Sequence, residues 1–97
     1  MHVSGNHINN SKPTLLSFHA DWCGTCQTMT PIIAELLDKI GNKINFLEID
    51  IDKNPQIAAA FRVRSIPYLI LFNNGKSIWR HSGLIPAKEI IASIKID

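Results

Sequence analysis

Cys23 and Cys26 are the only cysteines in the chain, and two residues separate them in Trp22-Cys23-Gly24-Thr25-Cys26. Thiols at this spacing have two common uses: they form half of a zinc site, or they open and close as a disulfide. A structural zinc is tetrahedral and needs a second Cys or His pair at short spacing. The four histidines, His2, His7, His19 and His81, stand at no such spacing. Disulfide chemistry is therefore expected, and no metal site.

The elements around the pair explain why the chemistry would work. Residues 14–20 (TLLSFHA) are an apolar run with aromatic content, the composition of a buried strand. With a side-chain period of two, Leu16, Phe18 and Ala20 share one face, and Leu15, Ser17 and His19 the other. From Met29 onward, Met29, Ile33, Leu36, Leu37 and Ile40 recur at helical spacing until Gly41. The helix is expected over residues 23–40, and Pro31 within it removes one hydrogen bond and should bend it. The cysteines thus lie where a strand ends and a helix begins. There, unpaired backbone N–H groups and the positive end of the helix dipole favour a thiolate. Cys23, the outer residue, is the expected nucleophile. Cys26, one turn in, can attack a mixed disulfide formed on Cys23.

Composition narrows the alternatives. A chain of 97 residues, 45% hydrophobic, makes one domain. Net charge is +2 with the charges dispersed, unlike the clustered basic face of a nucleic-acid binder. No apolar stretch approaches the ~20 residues of a membrane span, and the polar first 13 residues hold no signal-peptide core. A soluble, cytoplasmic protein is expected, periplasmic or secreted if an export leader was removed. The tiny loop between the cysteines would contribute little as a structural staple, which suits a reducing compartment.

The rest of the chain reads in order. Residues 1–12 (MHVSGNHINNSK) form a polar arm before a domain at 13–97, with no role for His2 or His7. Residues 43–50 are a second strand, and a right-handed crossover makes it a parallel neighbour of the first. Asn54-Pro55 opens a short helix to Phe61. A third strand over 68–72 turns at Asn73-Asn74-Gly75-Lys76 into an antiparallel fourth over 77–82, where Trp79 is half covered. Residues 86–96 close the chain as an amphipathic helix with Ile90, Ile91 and Ile94 inward. By themselves Pro67 reads as a proline at a strand start and Gly83 as a turn glycine.

The segment SFHADWCGTCQTMTPIIAEL resembles the active site of the thioredoxin family. FLEIDIDKNP, Val63-Arg64-Ser65-Ile66-Pro67, LILFNNGK and Gly83 follow in the family's order, so the resemblance runs from about Lys12 to the end. It implies a near-minimal thioredoxin-like α/β fold. The expected sheet is mixed and four-stranded, in order 2-1-3-4, with helices on both faces. It further implies that Ile66-Pro67 is a cis-proline whose preceding backbone pairs with a substrate strand, and that Trp22 and the Gly83 loop help hold the partner.

Several positions depart from the family. Full-length thioredoxins carry an additional strand and helix before the active-site strand, and 1–12 has no room for both. Ser17 stands where a buried Asp usually handles the proton of the inner cysteine, and His19 stands for Trp. Thr25 replaces the proline usual in reducing members, Gln27 a frequent Lys, and Glu48 a Lys beside the buried Asp. Glu48 is accordingly expected to relay the proton of Cys26, through water or Ser17, against the alternative that it faces solvent. His19 either stabilises the Cys23 thiolate or fills part of the Trp space.

The expected function is reduction of protein disulfides, with Cys23, Cys26 and Glu48 as the catalytic set. The resemblance implies disulfide-containing proteins and an NADPH-dependent thioredoxin reductase as partners, a monomeric chain and no bound cofactor. Rival readings are an exported oxidase or isomerase, and a non-catalytic adaptor or metal-binding module using Cys23, Cys26 and His19.

Overall fold

The computed structural model describes residues 3–5 and 11–95; His2, His7 and the last residue of the expected closing helix lie outside them. The elements are β1 (Val3–Gly5), β2 (Thr14–His19), α1 (Gly24–Ile40), β3 (Asn45–Asp50), α2 (Pro55–Ala60), β4 (Tyr68–Asn73), β5 (Lys76–Ser82) and α3 (Ala87–Ile94).

The four expected strands are present in the expected order, with β2 at the centre between parallel β3 and antiparallel β4, and with β5 antiparallel beyond β4. One strand is added at the sheet's edge. Among the described residues the sheet has five strands, because Val3–Gly5, inside the stretch read as a polar arm, pairs antiparallel with β3. Without it β3 would present a row of unpaired backbone groups. Three residues are too few for a periodic signal, so only the pairing reveals this strand.

The period-two reading of β2 holds. Leu15 packs with Met29, Ile33 and Leu36 of α1 and with Ile90 and Ile94 of α3, which together cover one face. Leu16 and Phe18 pack on the other with Ile49 and Ile70, beneath Ile57 and Phe61. Leu69, Ile70 and Leu71 are almost fully buried, as a central strand covered on both faces requires. Trp79 is half-buried against the α1/α3 side and stacks on His81, ring centroids 6.0 Å apart and 9° from parallel.

The connections follow from their residues. Asn74 and Gly75 both adopt positive φ, 54° and 77°, the tight hairpin turn that Asn-Gly favours. The β3–α2 turn is tied by Asp50, whose Oδ1 accepts the N–H groups of Asp52 (2.9 Å) and Lys53 (3.3 Å). Buried Asn54 donates its amide to the Asp50 carbonyl at 3.1 Å, and Pro55 opens α2. α1 runs as a single helix through Pro31.

Helix α1, which carries the cysteines, is held down by its apolar stripe. Leu36 is completely buried in that stripe, so Leu36→Ala should cost about 2–5 kcal/mol of unfolding free energy in a urea titration. A loss below about 1 kcal/mol would mean that this face of α1 is not what anchors it.

Candidate functional site

The parallel pairing of β2 and β3 brings their C-terminal ends to one edge of the sheet, and antiparallel β4 begins at that same edge. Chain segments from three strands meet there. The first is the β2–α1 turn. Cys23 has extended backbone angles (φ −91°, ψ 108°) and caps α1, its sulfur accepting the backbone N–H of Cys26 at 3.1 Å. The Thr25 hydroxyl lies 3.4 Å from the same sulfur. Cys23 and Cys26 are joined as a disulfide, with Cα atoms 5.2 Å apart.

Sequence position made Cys23 the outer residue, but exposure does not separate the two, at 5% for Cys23 and 7% for Cys26. What separates them is chemistry. The Cys23 sulfur receives the helix N–H, whereas Cys26 faces inward and lines a pocket beneath the turn.

The second segment is the β3–α2 turn. It places Asp52 so that Oδ2 accepts the indole N–H of Trp22 at 2.9 Å. The ring, 69% exposed, is thereby pinned at the surface beside Cys23. This bond spans 30 residues, and nothing local in the sequence announces it.

The third is the loop into β4. The Ile66–Pro67 peptide is cis. Half-buried Ile66 packs on Ala20, Cys23 and Cys26, and buried Pro67 borders the same pocket as Cys26. Ile66 precedes the ladder, whose first β4 pair is Tyr68 with Ser82. The loop is fastened by the Ser65–Ser82 hydroxyl pair at 2.6 Å and by the N–H of Gly83, which donates to the Pro67 carbonyl at 2.9 Å. Gly83 has φ +94°, which side chains rarely tolerate, and a Cβ there would project into open space. Both readings of this glycine, a turn residue and a bare surface next to the site, therefore coexist.

Under the turn lies a pocket of about 210 Å³ whose wall includes Ser17, His19, Cys26, Met29, Glu48 and Pro67. Ser17 and Glu48 are register partners across β2 and β3, and so are His19 and Asp50. Ser17 is buried. Glu48 reaches the pocket mouth with a half-exposed side chain, and its Oε2 lies 3.7 Å from Nε2 of His19. The expectation that Glu48 neighbours Ser17 on the Cys26 side of the sheet thus has a geometric counterpart, and so does the alternative that it meets solvent.

One donor atom each from His19, Asp21 and Asp50 lie within 4.8 Å of one another. Neither cysteine belongs to this group, and Asp50 already receives two backbone N–H groups. The group places two carboxylates close to the imidazole. Among the described residues no helix is long and apolar enough to cross a membrane.

Comparison with known proteins gives the same picture. The Thioredoxin family model matches residues 5–96. "Thioredoxin Y, chloroplastic" of rice is 41% identical over 86 residues, covering 89% of this chain and 51% of that protein. A thioredoxin-like protein of Synechocystis sp. is 36% identical over 85 residues, covering 88% of this chain and 81% of its own length. The chain spans about half the length of the rice and Arabidopsis thaliana relatives it matches. Among solved structures, a malaria parasite thioredoxin-2, described as a component of protein secretion machinery, superposes with TM-score 0.83 at 32% identity, covering 87% of this chain and 82% of the other. Oxidised mitochondrial thioredoxin 3 of Saccharomyces cerevisiae gives 0.78 at 27% identity, covering 87% and 77%. A capped dithiol at the head of α1, a cis Ile66–Pro67 peptide whose isoleucine packs on it and a family model spanning nearly the whole sequence converge: the chain belongs to the thioredoxin family.

Proposed function

We propose that this chain is a thiol-disulfide oxidoreductase that reduces protein disulfides through Cys23 and Cys26. The observation that carries the reading is the sulfur of Cys23 at the N-terminus of α1, accepting the Cys26 N–H and bonded to Cys26. Reduced Cys23, as thiolate, attacks one sulfur of a substrate disulfide, and the other sulfur leaves as a thiolate. Cys26 then attacks Cys23, the Cys23–Cys26 bond forms, and the second substrate thiol is released. Two electrons pass to the substrate. A donor must return them, and the family implies a thioredoxin reductase drawing on NADPH.

Trp22, Ile66, Pro67 and Gly83 form the substrate surface in this reading. The pinned indole supplies apolar contact next to the nucleophile, and the Ile66 main chain, ahead of the β4 ladder, offers backbone pairing that tolerates many substrate sequences. Glu48 assists the loss of the Cys26 proton from the wall of the pocket that both residues line. The chain acts as a monomer in a reducing compartment, where a short-loop disulfide serves as a reagent and not as a staple.

The Thr25 hydroxyl favours a second reading, an oxidising member of the same chemistry. A donor 3.4 Å from the Cys23 sulfur stabilises the thiolate, hence the dithiol, and so raises the reduction potential. One net hydrogen bond, about 0.5–1.5 kcal/mol, corresponds to about 10–30 mV.

Two experiments test these readings. Insulin-disulfide reduction driven by dithiothreitol should proceed with the wild type and vanish in Cys23→Ser, while Cys26→Ser should accumulate a mixed disulfide on Cys23. Activity surviving in Cys23→Ser would refute the assigned nucleophile. Equilibration in glutathione redox buffers, read by Trp22 fluorescence, gives the direction of electron flow. Thr25→Val should lower the midpoint by about 10–30 mV, and an unchanged midpoint would remove the hydroxyl from the argument for an oxidant.

A further inference from the structure

Cys26 must lose a proton before it can attack Cys23, and a thiol shielded from solvent resists ionisation. Its surroundings provide no buried carboxylate on β2, where Ser17 stands, and a serine hydroxyl is no base near neutrality. Glu48 is the register partner of Ser17 on β3, but its carboxylate is half exposed and lies 3.7 Å from His19. Carboxylic acids as a class titrate far below a thiol, whereas imidazole lies between the two, and proton transfer is most effective when donor and acceptor are matched. His19 lines the same pocket as Cys26, and that pocket has room for several waters.

We propose that His19 takes the proton of Cys26 through water in this pocket, and that Glu48 is a positioning residue that orients the ring and balances the charge it gains. This rests on the disulfide-exchange reading above. The charged groups facing the ring are all acidic: Glu48 and Asp50 from β3, and Asp21 from the loop after β2. Besides Cys26 itself, helix α1 contributes only uncharged Gln27, Met29, Thr30 and Ile33 to the pocket, and β4 is preceded there by Pro67. An imidazolium formed at His19 is therefore met by counter-charge from two segments and opposed by none of the groups lining the pocket.

The step balances as follows. The Cys26 S–H proton passes through water to the imidazole, and the thiolate attacks the Cys23 sulfur. The Cys23–Cys26 bond forms as the bond from Cys23 to the substrate sulfur breaks, and its electron pair leaves with the substrate thiolate. The imidazolium proton returns through solvent to that thiolate.

Stopped-flow reaction of the reduced protein with stoichiometric Ellman's reagent separates the two thiols. A first release of thionitrobenzoate, dependent on reagent concentration, reports Cys23. A second, concentration-independent release reports attack by Cys26 on the mixed disulfide. His19→Gln should slow the second phase at pH 7 by about tenfold or more, toward the lower end of general-base effects. Its rate should also keep climbing with pH until the thiol itself ionises, whereas the wild-type rate should level off earlier. Glu48→Gln should slow the same phase severalfold and leave the first phase unchanged. A wild-type second phase in His19→Gln across the pH range, or equal slowing of both phases, would overturn the relay. If the wild type itself shows no concentration-independent phase, Cys26 does not resolve the mixed disulfide, and the exchange reading falls with the relay.

Discussion

A single backbone hydrogen bond, from the N–H of Cys26 to the sulfur of Cys23, is the contact on which the rest of this structure depends. It exists because α1 begins immediately after Cys23, so the first amides of the helix have no carbonyl to serve and point at the sulfur instead. A donor of this kind is worth more to a thiolate than to a thiol. Helix position thus distinguishes one of two chemically identical residues. Burial does not, since the two cysteines are shielded almost equally.

Keeping that helix start in place is the task of the sheet. Two parallel strands end, and one antiparallel strand begins, at the edge where α1 starts. Three segments far apart in sequence therefore surround one disulfide. Each is fastened by short polar contacts: Asp50 to its own turn, Asp52 to the Trp22 indole, Gly83 to the Pro67 carbonyl. The apolar stripe of α1, with Leu36 at its centre, presses the helix on the sheet from one side, and Ile66 packs on the cysteines themselves. Packing fixes where the sulfurs are, and the polar contacts fix what surrounds them.

The inner half of the site shows how one strand can change chemistry without changing shape. Ser17 and His19 occupy the same face of β2 as Leu15, and Glu48 stands across from Ser17 in register. Polar groups on this face are affordable only at its end, where the pocket opens to water; further down, the same face is closed by Leu36, Ile90 and Ile94. Among the described residues no buried polar side-chain atom lacks a partner.

Much of this was legible in the residues themselves. The C-x-x-C spacing between an apolar run and a helical stripe dictated a dithiol at a helix start. Alternation in residues 14–20 assigned Leu15, Ser17 and His19 to one face, and Asn74-Gly75 specified the hairpin. These are local properties, set by backbone sterics and side-chain period, and they need no partner to be read. The tertiary structure alone decided what depends on distant pairing. Val3–Gly5 became a strand only because β3 offered a free edge. Trp22 was pinned by a carboxylate 30 residues away. His19 met Glu48 because parallel register, which no single strand contains, set their strands side by side.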